Sequence, residues 1–155
     1  MDPVLDKEIP NLDAEFPNLR ASNAKRTSEP TPQYNCIAWA AGDTKRKWWP
    51  GVGKEAFWPH GVSGKAKVES FIAAYRTKGY SVCADGSFEA GFEKIAIYAD
   101  GTEPRHAARQ VPDRQKWTSK LGNSPDIEHD LADVEGPLYG RPRIFMRRRL
   151  PRQTR

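Results

Sequence analysis

The chain has 155 residues, a mean hydropathy of −0.78 and a net charge of +5. This length favours one domain with an ordinary core, and no run approaches the roughly 18 apolar residues needed to cross a membrane. The positive charge is local, because residues 141–155 carry seven arginines and no acidic residue, and without these arginines the net charge is −2. The composition therefore argues against a membrane span and against a generally basic domain.

The first residues show no basic segment followed by an apolar one, so we expect a cytoplasmic protein of a prokaryote or phage. Delivery into another cell by a route without such a signal stays open. Cys36 and Cys83 lie 47 positions apart, so they form neither a disulfide framework nor the close pairs of a four-cysteine zinc site. We expect no metal and no cofactor.

The predicted elements begin with an arm. Residues 1–33 are rich in Pro, Asn, Asp and Glu, which predicts an extended segment lying over the domain with Phe16 and Leu19 as anchors. Residues 34–42 predict an apolar helix that begins near Cys36 and ends at Gly42. Residues 43–64 predict a loop whose length is typical of functional loops. This loop forms either a small hydrophobic cluster or the wall of a substrate cleft, with contacts from Trp48, Trp49, Trp58 and His60.

The remaining pattern predicts a helix over residues 65–78 and then several strands. The predicted strands cover residues 80–83, 94–99, 105–111 and 116–121, followed by a short helix over 126–134 and an edge strand over 144–146. The order predicts an α+β fold with N-terminal helices packed on an antiparallel sheet. We divide the chain into an arm (1–33), a domain (34–146) and a basic, disordered tail (147–155).

Cys36 is the strongest candidate for a catalytic residue. It lies where a proline-marked extended segment turns into the apolar helix, among unpaired backbone N–H groups at the positive end of the helix dipole. Such a position lowers the pKa of a thiol and can hold a developing oxyanion. The segment therefore predicts a cysteine nucleophile.

A nucleophilic cysteine needs a base and a group that orients the base. His106 lies on the predicted strand 105–111, and a hairpin closed by Val111 and Lys116 places Ser119 on the same face, diagonal to His106. A register slip of one residue would bring Thr118 or Lys120 there instead. We interpret His60 as a substrate contact in the loop and His129 as a surface or helix-capping residue.

Two segments together resemble a known superfamily. Tyr34-Asn35-Cys36-Ile37-Ala38-Trp39-Ala40 resembles the nucleophile helix of the papain-like cysteine hydrolases, which include the NlpC/P60 and CHAP amidases, and His106-Ala107-Ala108 resembles their histidine strand. Lys94 stands where the NlpC/P60 pattern has histidine, and Thr118, Ser119 and Lys120 stand where the papain pattern has asparagine. Residues 33–146 more closely resemble uncharacterised bacterial proteins that share these segments.

The resemblance implies a papain-like fold and a cysteine hydrolase or acyltransferase acting on a peptide, peptidoglycan or protein side chain. Cys36 would attack, His106 would move the proton, Ser119 would orient His106, and Gln33 or Asn35 would help to hold the oxyanion. The alternative is a non-catalytic binding or inhibitor module on the same scaffold. A third hypothesis is contact with nucleic acid or an acidic partner through the arginine tail and Lys45, Arg46 and Lys47.

Overall fold

A computed structural model describes residues 1–51 and 56–151. The described strands are β1 (Lys25–Arg26), β2 (Ser81–Cys83), β3 (Phe92–Asp100), β4 (Glu103–Gln110), β5 (Trp117–Lys120), β6 (Asp126–His129) and β7 (Arg141–Arg149). The described helices are α1 (Val4–Glu8), α2 (Leu12–Glu15), α3 (Cys36–Ala41) and α4 (Val68–Arg76), with a 3-10 turn at Leu131–Val134. These strands form one antiparallel sheet in the order β1-β6-β5-β4-β3-β7-β2.

The sheet is covered on both faces, which explains the nearly continuous burial of β3. Successive side chains of a strand point to opposite faces, so β3 and β4 contribute alternately to two cores. The arm-side core consists of Leu5, Ile9, Leu12, Phe16, Leu19, Ala24, Ala96, Tyr98, Ala108, Trp117, Leu121, Ile127, Val134 and Tyr139. The helix-side core consists of Tyr34, Ile37, Ala38, Ala40, Ala41, Trp48, Phe71, Ala74, Tyr75, Tyr80, Ile95, Ile97, Ala107 and Met146.

The N-terminal arm covers one face, but it is not extended. It folds into α1 and α2, because its apolar residues recur at intervals of three and four, the spacing of one helix face. The predicted anchors Phe16 and Leu19 are both buried in the arm-side core. The predicted anchoring is therefore confirmed, and the predicted extended conformation is wrong.

The predicted fold class is also wrong. The described part of the chain is mainly an antiparallel sheet, and its α-helices are short, with lengths of four to nine residues. The expected N-terminal helices packed on a sheet, in the papain-like manner, would make up a larger part of the fold than these short helices do. No helix within the described residues is long and apolar enough to cross a membrane.

Two further predictions fail near the C-terminus. Residues 126–134 form β6 and a 3-10 turn rather than a helix, because Ile127 and His129 alternate with polar residues and pair with β5. The predicted edge strand is β7, which lies inside the sheet between β3 and β2. It continues to Arg149, so a tail boundary at residue 147 is too early. Residues 152–155 of the predicted tail lie outside the described residues.

We predict that Gly140→Ala destabilises the protein by about 2–4 kcal/mol in denaturant unfolding. Gly140 has a φ of +73°, and a Cβ there would lie 2.4 Å from the carbonyl oxygen of Ala99 in β3. The left-handed conformation alone costs about 1–2 kcal/mol, and displacing backbone adds to this cost. Gly101→Ala is the matched control, because its φ is +59° and no atom lies within 4 Å of its Cβ position. Equal losses in the two variants would contradict this account.

Candidate active site

The α3 helix begins and ends where the sequence predicts. The Asn35 side chain accepts a hydrogen bond from the Ala38 N–H at 3.1 Å, and Gly42 ends the helix in the left-handed conformation with a φ of 85°. Asn35 also accepts from the Trp48 N–H at 3.0 Å and donates to the Trp48 carbonyl at 2.8 Å. Its amide thus joins α3 to the aromatic loop, and one of its two N–H groups is used in doing so.

The helix lies across β4 and β5. Trp39 donates from Nε1 to the Thr118 hydroxyl at 3.0 Å, and this hydroxyl donates to the Arg109 carbonyl at 2.9 Å. The Arg109 guanidinium lies over the Trp39 ring, 5.2 Å from its centroid. These contacts fix α3 against the helix-side face, where Ala107 packs in the same core as the helix. The small side chain of Ala107 permits this close approach.

The Cys36 thiol is not the low-pKa group that its position predicts. Burial raises the pKa of Cys36 to about 11, although hydrogen bonds from the backbone at Ala107, Ile37 and Cys36 and the charge of Lys120 act to lower it. Loss of water therefore outweighs the favourable backbone environment. At neutral pH Cys36 is a protonated thiol that requires a base before it can attack.

His106 and Ser119 meet as the predicted hairpin requires. The Val111 N–H donates to the Lys116 carbonyl at 2.8 Å, and Gln110 pairs with Trp117, which confirms the predicted register. This register brings His106 Nε2 within 2.8 Å of Ser119 Oγ.

The His106 ring is held tightly in the arm-side core. It stacks on Tyr139 with centroids 3.9 Å apart and an interplanar angle of 6°, and it lies edge-on to Tyr98 at 5.2 Å. Burial lowers the pKa of His106 well below its ordinary value, and the nearby His129 lowers it further. Within the described structure its Nδ1 atom has no hydrogen-bond partner. His106 is therefore a fixed, neutral imidazole with one free nitrogen.

His129 belongs to the same cluster, so its interpretation as a surface or capping residue is wrong. Its Nε2 lies 2.7 Å from Ser119 Oγ, and its Nδ1 lies 2.7 Å from the Asp130 carbonyl oxygen. Burial lowers the pKa of His129 to about 4. The alternation of residues 126–129 was the signal for a strand, and that strand places His129 opposite Trp117 and diagonal to Ser119.

Cys36 and His106 approach the sheet from opposite sides. Ala107 faces α3, so alternation directs the neighbouring His106 to the arm-side face. Among the described residues, no hydrogen bond joins the thiol to the imidazole. The expected direct pair is therefore not formed in this structure.

The sheet is nevertheless incomplete at this point. Within the described residues, the β4–β5 ladder ends at Arg109 and Thr118. Residues 103–108 stay paired with β3 and residues 119–120 with β6, but these two segments are not paired with each other, and we call them the unpaired stretch of β4 and β5. Cys36 lies at this unpaired stretch, because both the Ala107 backbone and the Lys120 charge act on its sulfur. Burial raises the pKa of Tyr139, the ring that stacks on His106, well above its ordinary value, and a thiolate at Cys36 raises it further.

Lys120 is a charged residue of this region that the sequence interpretation left as a register alternative. It is fully buried, its Nζ donates to the carbonyls of Gly122 (2.8 Å) and Ser124, and it lies 5.6 Å from the Tyr34 ring centroid. Burial lowers the pKa of Lys120, while the nearby Asp126 and Cys36 act to raise it. Lys120 therefore brings a positive charge to the side of the sheet that carries the thiol.

The predicted substrate contacts are distributed unevenly. Trp48 is fully buried and stacks on Tyr75, so it is a core residue, not a cleft residue. Trp58 is half-buried and packs on Phe71, which supports the interpretation of the loop as a hydrophobic cluster. Gln33 and His60 are exposed.

Trp49 differs from the other loop tryptophans because 40 % of its surface is exposed. It lines a groove of about 540 Å³ together with Ala66, Lys67, Glu103, Pro104, Arg105 and Leu138. Arg105 precedes His106 in β4, and Leu138 precedes Tyr139. The groove is thus bordered by chain neighbours of the two stacked rings.

Two of the five arginines of β7 form ion pairs within the described structure. Arg148 pairs with the buried Glu93 at 3.2 Å, and Arg147 pairs with Glu89. These ion pairs reduce the charge that the predicted tail could offer to nucleic acid or an acidic partner. Among the described residues, no group of three or more His, Cys, Asp or Glu side chains is arranged to hold a metal ion.

We predict that alkylation of Cys36 by iodoacetamide in a Cys83→Ala variant is slow at pH 7 and accelerates about tenfold per pH unit up to pH 10. The thiolate is the reactive form, and the pKa of about 11 keeps its fraction small until high pH. Cys36→Ser in the same background provides the unreactive control. A rate that levels off by pH 8 would contradict the raised pKa.

We predict that acid weakens the protein through His129. Its folded pKa of about 4 lies below the ordinary value of 6.5, so the unfolded chain takes up a proton first as the pH falls. The stabilisation is full above pH 6.5 and is lost between pH 6.5 and 4, by up to about 3 kcal/mol. His129→Gln should reduce this decline in denaturant unfolding and leave the part that comes from His106, whose pKa burial also lowers. His60→Gln, at an exposed position, should retain the whole decline. Identical declines in both variants would refute the assignment.

Comparison of the chain with known protein families finds one family whose model matches it. The model of a domain of unknown function (DUF7689) matches residues 25–147, a range that includes Cys36, His106, Ser119 and His129. No curated protein and no solved structure matches the chain. The resemblance to the papain-like cysteine hydrolases is not tested by this match and stays a prediction. The chain belongs to the DUF7689 family.

Proposed function

We propose that the protein is a cysteine-dependent hydrolase or acyltransferase that acts on an amide or a related acyl bond. The main support is the free Nδ1 of His106, a buried imidazole nitrogen without a partner in the described structure. His106 belongs to the unpaired stretch of β4 and β5, and Cys36 lies at the same stretch on the other face of the sheet. Titratable groups with strongly shifted pKa values cluster at functional sites more often than elsewhere. A half-buried thiol and a buried free base have a clear chemical use together.

The first step requires His106 Nδ1 to reach the thiol between β4 and β5, where these strands are not paired with each other. This nitrogen then takes the proton of the Cys36 thiol while the sulfur attacks the acyl carbon. A carbon–sulfur bond forms, and the carbonyl becomes a tetrahedral oxyanion. When this intermediate collapses, the bond to the leaving amine breaks and His106 returns the proton to the amine. Cys36 then carries the acyl group, and His106 is neutral again.

The second step releases the acyl group. Water, or the hydroxyl or amine of an acyl acceptor, gives its proton to His106 Nδ1 and attacks the thioester carbon. The carbon–sulfur bond breaks, and the sulfur takes the proton back from His106. The bulk water supplies the acceptor in a hydrolase, whereas a second substrate supplies it in a transferase.

Lys120 supports the charge changes of these steps. Its ammonium group is held by two backbone carbonyls and already acts to lower the pKa of Cys36, so it stabilises negative charge near the sulfur. A fixed charge in a site with little water is worth more than the same charge in solution. We therefore assign Lys120 to stabilisation of the developing anion.

The groove at Trp49 and Leu138 suits an extended substrate with an apolar segment. Leu138 exposes 38 % of its surface, and Lys67 provides positive charge at the same groove, where Arg105 is paired with Glu103 at 3.3 Å. A peptide, a peptidoglycan stem or a protein side chain with a nearby carboxylate fits this lining. Of the three tryptophans predicted as substrate contacts, we keep Trp49 as the candidate.

The second candidate is a non-catalytic binding module. The observations in its favour are the raised pKa of Cys36 and the absence, within the described residues, of a thiol–imidazole hydrogen bond. On this hypothesis the groove binds a partner, and Cys36 is a buried small side chain. The two candidates differ in whether Cys36 becomes covalently modified during turnover.

We predict that p-nitrophenyl acetate acylates Cys36, with a burst of p-nitrophenol followed by slower turnover. Intact-protein and peptide mass spectrometry should locate the acetyl group on Cys36, because an acyl-enzyme accumulates when its hydrolysis is slow. Cys36→Ala should lose the burst, and Cys83→Ala should keep it. Acetylation spread over lysines with no burst, at equal levels in both variants, would favour the binding module.

A further inference from the structure

A continuous chain of hydrogen bonds crosses the arm-side core. It runs from His106 Nε2 to Ser119 Oγ (2.8 Å), from Ser119 Oγ to His129 Nε2 (2.7 Å), and from His129 Nδ1 to the Asp130 carbonyl oxygen (2.7 Å). His106 and Ser119 have no exposed surface, and His129 is 2 % exposed. Water therefore does not compete for these bonds, and the three side chains must find their hydrogen-bond partners within the protein.

The position of each hydrogen in this chain of hydrogen bonds follows from its last acceptor, the Asp130 carbonyl oxygen. A carbonyl oxygen can only accept, so His129 Nδ1 carries the hydrogen that it shares with Asp130. Burial keeps His129 neutral, and a neutral imidazole has one N–H, so its Nε2 is an acceptor. Ser119 therefore donates its hydroxyl hydrogen to His129 and accepts with its oxygen from His106 Nε2–H. His106 Nδ1 is left as a bare lone pair.

The opposite arrangement is unfavourable for a separate reason. If His106 carried its hydrogen on Nδ1, that buried N–H would have no acceptor among the described residues. Buried donors without a partner are rarer in proteins than acceptors with an unused lone pair. The empty environment of Nδ1 and the direction set by Asp130 thus lead independently to the same tautomer.

We propose that His129 is a positioning residue that, through Ser119, holds His106 in the tautomer protonated at Nε2 and leaves Nδ1 free as a base. The tautomer is a property of the folded chain, whereas the use of Nδ1 against Cys36 rests on the proposed function. When Nδ1 gains the thiol proton, His106 still donates its Nε2–H to Ser119, and no proton passes on to His129. Ser119 and His129 orient the base and keep their own protons throughout.

The test is nitrogen NMR of the full-length protein labelled with 15N-histidine. Two-bond proton–nitrogen correlation spectra at neutral pH distinguish the tautomers of each ring, and single His→Gln variants assign the three histidines. We expect His106 to be protonated at Nε2 and bare at Nδ1, and His129 to be protonated at Nδ1. His60 provides the reference for an exposed ring. A protonated Nδ1 on His106 in the wild-type protein would overturn the proposal.

Variants then test whether His129 controls the tautomer. His129→Gln and Ser119→Ala should move the His106 nitrogens toward a mixture of tautomers and should slow the acylation of Cys36 by roughly 10²- to 10⁴-fold, the range for loss of a properly oriented base. Ser119→Thr, which keeps the hydroxyl, should retain the wild-type tautomer. Unchanged His106 nitrogens in a folded His129→Gln protein would overturn the positioning role, and the wild-type spectrum tests the tautomer without any substitution.

The two proposals fail separately. The expected tautomer together with no acylation of Cys36 would refute the hydrolase and support the positioning role. Normal acylation of Cys36 together with a His106 protonated at Nδ1 would support the hydrolase and refute the positioning role. The NMR result and the mass-spectrometric result therefore test different parts of the account.

Discussion

Both faces of the central sheet are buried, and this constraint governs the polar residues that the sheet carries. The polar side chains of β4, β5 and β6 that are buried have no access to bulk water and must find partners inside the protein. His106, Ser119 and His129 meet this demand by bonding to one another and to the Asp130 carbonyl. Their arrangement is therefore set by burial, and the free Nδ1 of His106 is a departure from the rule.

The same constraint explains why the thiol is protonated. α3 must pack closely to cover the sheet, and the close packing at Ala107 removes water from Cys36. A helix terminus stabilises a thiolate by a modest amount, and loss of water can cost more. A site of this kind depends on a base that acts during attack, and not on a thiolate that exists beforehand. His106 has the protonation state that such a base requires.

The sequence predicted local features well and tertiary features poorly. The start and end of α3 and the β4–β5 register follow from capping and hairpin rules, so Ser119 could be placed beside His106 in advance. The shift in the pKa of Cys36 could not be predicted in this way, because its direction depends on how deeply α3 is buried. His129 was missed because residues 126–134 were assigned to a helix. His106 and Ala107 point to opposite faces of β4, and α3 with Cys36 packs on the Ala107 side. For this reason Cys36 and His106 do not form the direct pair that their motifs suggest.

The central claim is that Cys36 and His106 work together across the unpaired stretch of β4 and β5. A crystal structure of the protein acylated at Cys36 tests this claim most directly. The account predicts that His106 Nδ1 lies within about 3–4 Å of the thioester sulfur or of a water poised to attack the thioester carbon. An Nδ1 more than about 7 Å from the sulfur, with an intact layer of β4 and β5 backbone between them, would contradict it.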